Sequence, residues 1–167
     1  MNVRGSTHVE RGRRRGSAQD NRCGFVVALV VTGLATASAQ NETYAFKAKL
    51  SAGAEVPKPT GVPSGATGSF AVTTVEPKTG KVKLSWKLTF THLSGGAIAA
   101  HIHRGKTGKA GGILVPLCGP CKSGQTGKAL VTRTVENLLE AGATYVNVHT
   151  NKNPGGEIRG QIKVASG

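Results

Sequence analysis

The sequence predicts an all-β protein: an antiparallel Greek-key sandwich or barrel of about eight strands, with one short helical turn. Three observations carry this. Apolar and polar residues alternate in several short segments, which places one side of each strand in a core and the other in water. Glycine- and proline-rich stretches separate those segments, drawing on 24 Gly and 7 Pro. Only one segment has helical spacing, so no helix of domain length is expected. Aromatic residues make up 4% of the chain, so the core must come mostly from Val, Ile, Leu and Ala. The glycines follow no three-residue period and no heptad runs through the chain, which excludes collagen and a coiled coil.

The elements follow in order. Tyr44–Leu50 alternates strictly, with Lys47 and Lys49 on the outer side. Gly68–Val75 alternates more weakly, and Val82–Phe90 alternates over nine residues. Glu76-Pro-Lys-Thr-Gly80 between them has the punctuation of a hairpin turn. Further strands are expected at Ala97–His103, Ile113–Leu117, Lys128–Arg133, Thr144–Thr150 and Ile158–Val164. Thr134–Gly142 fits a helical turn, with Thr134 as cap and Gly142 as stop. The stretch Ala52–Gly68, with Pro57, Pro59 and Pro63, is long enough for a Greek-key crossover.

Residues 1–39 differ in kind. Arg4, Arg11, Arg13, Arg14, Arg15 and Arg22 precede an apolar run, Phe25–Leu34, and then Ala37-Ser38-Ala39. A basic region, a short apolar region and a small-x-small site compose a secretory signal peptide. The run falls short of the roughly 20 apolar residues of a spanning helix; the alternatives are an uncleaved anchor or a start placed upstream of the true first Met. Cys23 precedes the run, which argues against a lipoprotein anchor. The expectation is a signal peptide at 1–39 and one β domain at 40–167, secreted or held in the periplasm or cell envelope, with no transmembrane span after cleavage.

The whole chain carries +14. Residues 40–167 keep 16 basic and six acidic residues. A basic exported protein is drawn to anionic surfaces: envelope or extracellular polymers, or an acidic protein. No dense basic run interleaves with aromatics, so nucleic acid is not the expected partner.

Four histidines remain after residue 39. His101 and His103 sit at i and i+2 of one strand and so share a face. His149 lies on another strand, in Tyr145-Val-Asn-Val-His149. Should the two strands meet, three imidazoles converge, a suitable set for copper or, second, zinc. The alternative is a hydrogen-bonded cluster without metal. His92, alone at a strand end, reads as surface polar. With no Asp and no Met after residue 39, Asp-containing zinc sites and Met-ligated copper sites are excluded. Glu157, Arg159 and Gln161 follow the Pro154-Gly-Gly turn, and Glu157 and Arg159 can orient an imidazole or pair with each other. Cys118-Gly-Pro-Cys121 has redox spacing, but no helix pattern follows it, so a local disulfide is expected ahead of soft-metal binding or redox catalysis. No G-x-S-x-G, paired-Asp or phosphate-cradling pattern is present.

Gly53-Ala-Glu-Val-Pro57, Ala66-Thr-Gly68, Ala99-Ala-His-Ile-His103, Gly142-x-x-Tyr-Val-Asn-Val-His-Thr150 and Pro154-Gly-Gly-Glu-Ile-Arg-Gly-Gln161 together resemble the CHRD domain. That domain is named from repeats in chordin and is common in exported bacterial proteins. The resemblance spans about Tyr44 to Val164. It implies an exported β-rich module more firmly than an activity; the chordin repeats belong to an extracellular binder of growth factors. A weaker resemblance is to the Greek-key barrels of copper/zinc superoxide dismutases, whose His-x-His strand and late third His supply copper ligands. It implies His101, His103 and His149 as candidate ligands. The dismutase zinc loop has no counterpart and no bridging His is evident, so a dimetal site is not implied. The functional expectation is an exported, non-catalytic module with a three-histidine copper (or zinc) site. The alternatives are a metal-free interaction domain for anionic or protein partners, and a copper-only dismutase-like oxidoreductase.

Overall fold

A computed structural model describes residues 41–165; the expected signal peptide lies outside the described residues. Strand β1 (Glu42–Ser51), β2 (Thr67–Glu76) and β3 (Val82–Thr91) form an antiparallel meander, fully registered from Glu42↔Glu76 to Ser51↔Thr67 and from Thr67↔Thr91 to Val75↔Lys83. The remaining strands are β4 (Ala97–Arg104), β5 (Ile113–Cys118), β6 (Gln125–Val131), β7 (Thr144–Thr150), β8 (Ile158–Gln161) and β9 (Lys163–Val164). One helix, α1 (Arg133–Glu140), precedes β7. The sheet order is β5-β4-β7-β8-β1-β2-β3-β6, with β9 added to β1. This is a nearly closed eight-stranded barrel with β5 and β6 at its seam.

The inward residues are those the alternation marks. Phe46, Leu50, Phe70, Leu84, Leu88, Ile102, Val146, Val148 and Ile158 are all at most 2% exposed. Each such side chain contributes about 1.5–3 kcal/mol by leaving water. Leu139 of α1 joins this core.

Several expectations need correction. Ala52–Gly68 is not a crossover: β1 and β2 are hydrogen-bonded neighbours, so this stretch is a long excursion within a hairpin. The crossings that make the Greek key are β3 to β4 and β6 to β7, which carry the chain past its sheet neighbour. Strand β6 starts and ends earlier than expected, because Arg133 opens the helix. The cap position is Thr132, not Thr134, and it makes no side-chain cap bond. The Gly142 stop holds: its φ of 58° is the left-handed turn that releases a helix, and Gly142 N–H and Ala143 N–H donate to Leu139 and Leu138 carbonyls. The last strand is split at Ile162, whose N–H donates to the Thr144 carbonyl and whose side chain is fully buried.

Candidate metal centre

Strand β4 pairs with β7 so that His103 faces Tyr145, His101 faces Asn147 and Ala99 faces His149. All six lie on the outside of the barrel, since Ala100, Ile102, Val146 and Val148 fill the inside. Ala99 is small, which leaves space for the His149 ring to reach diagonally toward His101. On its other side β4 meets β5 through two register shifts, opposite Ala100/His101 and Ile102/His103. Such bulges re-aim neighbouring side chains.

The three imidazoles converge. His101 Nδ1 and His149 Nε2 are 3.1 Å apart. One nitrogen from each of His101, His103 and His149 lies within 4.8 Å of the others. His103 and His149 are each 8% exposed. Loop carbonyls fix two of the rings: His103 Nδ1 meets Gly111 O at 3.0 Å and His149 Nδ1 meets Pro154 O at 2.9 Å. A carbonyl only accepts, so both Nδ1 atoms carry the proton and both Nε2 atoms keep a lone pair. His103 Nε2 is buried and has no hydrogen-bond partner. His149 Nε2 accepts from His101 Nδ1.

Burial pushes all three imidazoles below their ordinary pKa. For His101 the neighbouring rings of His149 and His103 add to burial. For His103 the Gly111 carbonyl opposes burial and the Arg159 charge reinforces it. For His149 the Pro154 carbonyl opposes burial and His103 reinforces it. The neutral form is thus favoured, and it is the form that ligates a metal. His92 stays apart from the trio, exposed, with its Nδ1 3.0 Å from Thr91 Oγ1.

Glu157 and Arg159 do not pair with each other; they hold different loops. The Glu157 carboxylate, fully buried, accepts from Ser94 N–H at 2.6 Å, Thr150 Oγ1 at 2.5 Å, Asn153 Nδ2 at 3.2 Å and the Ser94 hydroxyl. Burial alone would raise its pKa, but these bonds together hold it below the usual carboxylate range. They tie down the turn that presents Pro154 O to His149. Arg159 Nη2 donates to the Lys106 and Lys109 carbonyls at 3.1 and 2.8 Å, pinning the loop that presents Gly111 O to His103. Its guanidinium also lies 3.4 Å over the Tyr145 ring, and Tyr145 stacks on His103 with centroids 5.0 Å apart. Gly111 must be glycine at this approach, because a Cβ would fall 1.9 Å from the Arg104 carbonyl oxygen.

Three contributors to this face stand in the motifs shared with the CHRD domain without a role of their own being legible there: Tyr145, Asn147 and Glu55. Asn147 lies beside the trio, and its Nδ2 approaches Glu55 Oε2 at 3.5 Å. Glu55, 2% exposed, comes from the long β1–β2 excursion, and burial, opposed mainly by the Arg159 charge, raises its pKa to about 7. The excursion is further tied to the 150–156 turn through Thr60 N–H to Asn153 Oδ1. Cys118 and Cys121 are joined as a disulfide. No helix among the described residues is long and apolar enough to cross a membrane.

An all-β barrel with its polar chemistry gathered under loops on one outer face suits a binding module. The family model for the CHRD domain matches residues 46–162, and the chain belongs to that family. CHRD domains are usually extracellular and often serve as interaction modules. No curated protein and no solved structure matches the chain.

Proposed function

We propose that the protein is an exported, non-catalytic CHRD module that binds copper, with zinc as the weaker alternative, through His101, His103 and His149. The carrying observation is the convergence of three imidazole nitrogens within 4.8 Å, one of them buried with no other partner. Two nitrogens bound to one ion at roughly 2.0–2.1 Å stand about 3–3.5 Å apart, and His101 Nδ1 and His149 Nε2 already meet that spacing. An all-imidazole set suits both ions, and at a given nitrogen site Cu(II) binds more tightly than Zn(II). Binding through His101 Nδ1 moves that ring's proton to Nε2. His103 and His149 need no such change, because the Gly111 and Pro154 carbonyls hold their protons on Nδ1. Glu157 and Arg159 act as positioning residues, through the loops that carry those carbonyls. The basic arginines, apolar run and Ala37-Ser38-Ala39 of the first 39 residues support export.

Equilibrium dialysis against Cu(II) and Zn(II) tests this. The expected result is one copper per chain, lost in His101→Ala/His103→Ala. Equal uptake by the native chain and that variant overturns the proposal. Arg159→Ala is expected to weaken copper by roughly 10–100-fold, the usual cost of losing a partner that orients a ligand.

A second reading, an interaction module for anionic partners, is favoured by a separate observation. Among the described residues no acid lies among the lysines on the outer side of the first three strands. Glu42 and Glu140 lie near Tyr44 at one end, Glu76 is paired with Arg133 there, and Glu55, Glu136 and Glu157 are buried.

A further inference from the structure

Opposite in character to the histidine face is the outer face of β1, β2, β3 and β6. Its outward residues follow from the register. One row across the strands reads Lys163, Lys47, Ala71, Lys87, Thr126; the next reads Ala45, Thr73, Ser85, Lys128. Lys49, Ser69 and Thr89 extend it on one side and Lys83 on the other. All six lysines are exposed, and none is in an ion pair among the described residues. No acidic side chain belongs to these rows. Neighbouring strands are about 4.8 Å apart and alternate residues about 6.8 Å apart. The lysines therefore recur at spacings near the Debye length of about 8 Å at physiological salt, and act on a ligand jointly. Between them the floor is short: alanines, and the hydroxyls of Ser69, Thr73, Ser85, Thr89 and Thr126. A broad open depression of about 590 Å³ runs across this floor between Lys47, Lys87 and Lys128.

We infer that this lysine and hydroxyl sheet face is the docking surface for a linear acidic polysaccharide, one carrying carboxylate or sulfate groups. This rests on the interaction reading above and names its surface and ligand. Charge complementarity selects a polyanion. In the depression the hydroxyls of Thr73, Ser85 and Thr126 supply donors and acceptors for sugar hydroxyls, and the alanines and lysine stems beside them offer apolar surface to the sugar rings; Ser69 and Thr89 bond each other. Stacked bases have no platform here, because no aromatic side chain points outward in these rows. Lipid tails gain little anchor, because the sizeable apolar residues nearby are scattered, with Val75 and Leu130 at one end of the face and Val164 at its β9 edge. An extended strand of sugars can lie across the rows and meet a lysine at every step or two.

The test is binding of the full chain to sodium polygalacturonate by titration calorimetry across a salt series. Neutral dextran, anionic phosphatidylserine vesicles and single-stranded DNA serve as competing probes. The expected result is salt-sensitive binding to the polyuronate and none to dextran. Lys47→Glu/Lys87→Glu is expected to weaken it about tenfold or more and to flatten the salt dependence. Lys109→Glu/Lys152→Glu, with the same change in net charge on the loops over the histidine face, is expected to change it less than about twofold. His101→Ala/His103→Ala and chelator are expected to leave it intact, separating this surface from the metal site. Equal losses in the two lysine pairs overturn the face while leaving a general interaction role. Tighter binding of vesicles or DNA than of the polyuronate overturns the ligand. No binding to any polyanion at low salt defeats both this inference and the interaction reading.

Discussion

The two outer faces of this barrel share one backbone and differ in what lies over them. On β7 every residue is buried, because the 52–66 excursion, the 105–112 loop and the 151–157 turn gather over the strand. On β1, β2 and β3 alternate residues stay in water, and none of the described residues covers the lysines. Covering a face changes the demand on its side chains. A buried polar group must find a partner or cost free energy. The covered face is therefore a network: carbonyl to imidazole, carboxylate to hydroxyl and amide, guanidinium to carbonyl and ring. The bare face needs no partners and acts through its field.

That contrast makes the covered face intolerant and the bare face tolerant. The largest effect is expected from Glu157→Ala, which strands the Ser94 N–H, the Asn153 amide and the Thr150 hydroxyl that the carboxylate satisfies. A loss of about 4 kcal/mol in urea unfolding is expected, since each stranded buried donor costs about 1–3 kcal/mol. A loss under about 1 kcal/mol would remove the distinction between the faces.

Glu55 gives an effect of opposite sign. Its folded pKa of about 7 lies above the 4.5 of an ordinary glutamate. Its contribution is therefore fully present below pH 4.5 and lost as pH rises through 7. The charges that face it, Arg159 and Lys58, lower its pKa without outweighing burial. Glu55→Gln is expected to match the native chain near pH 4 and to exceed it by about 3 kcal/mol at pH 8. Comparing the two chains cancels the histidines, which on their own cost the metal-free protein stability as pH falls below about 6.5. Equal stability of the two chains at pH 8 would contradict this account of Glu55.

Beneath the bare face the barrel is still close-packed. A Cβ on Gly127 would stand 2.4 Å from the Trp86 ring. Gly127→Ala is expected to cost about 1–3 kcal/mol by overpacking, measured as a shift in the urea midpoint with unchanged slope. The smallest effect is at the surface itself: Lys87→Ala should stay within about 0.5 kcal/mol of the native chain. A larger loss there would mean that the lysines support the fold, and the bare face would no longer be free for a ligand.

The same contrast explains what could be read from the sequence. Val82–Phe90 and Tyr44–Leu50 are legible because one side of each meets water, so the period of two survives in the residue types. His101 and His103 could be placed on one face by the same rule. Their meeting with His149 depended on strand order, which alternation does not encode. Thr144–Thr150 reads as a strand, but the burial of Asn147 does not show, since polar and apolar residues alternate there as on any half-exposed strand. Glu55 stands in the Gly53–Pro57 motif, but its burial does not show there for a related reason: it sits in a proline-rich stretch that looks like a connection and turns out to be a roof. Thr134 reads as the cap because either threonine suits the start of a helix locally, and the hydrogen bonds from Val135 and Glu136 to the Thr132 carbonyl place the cap at Thr132 instead.

In the proposed site two strands remote in sequence gather three imidazoles around one ion. X-ray absorption at the copper edge of the Cu(II)-loaded protein reads that coordination. Three imidazole nitrogens are expected around the copper at roughly 2.0 Å, with the imidazole signal reduced in His149→Ala. A shell of oxygens alone, or a spectrum that is the same in native protein and His149→Ala, would contradict it.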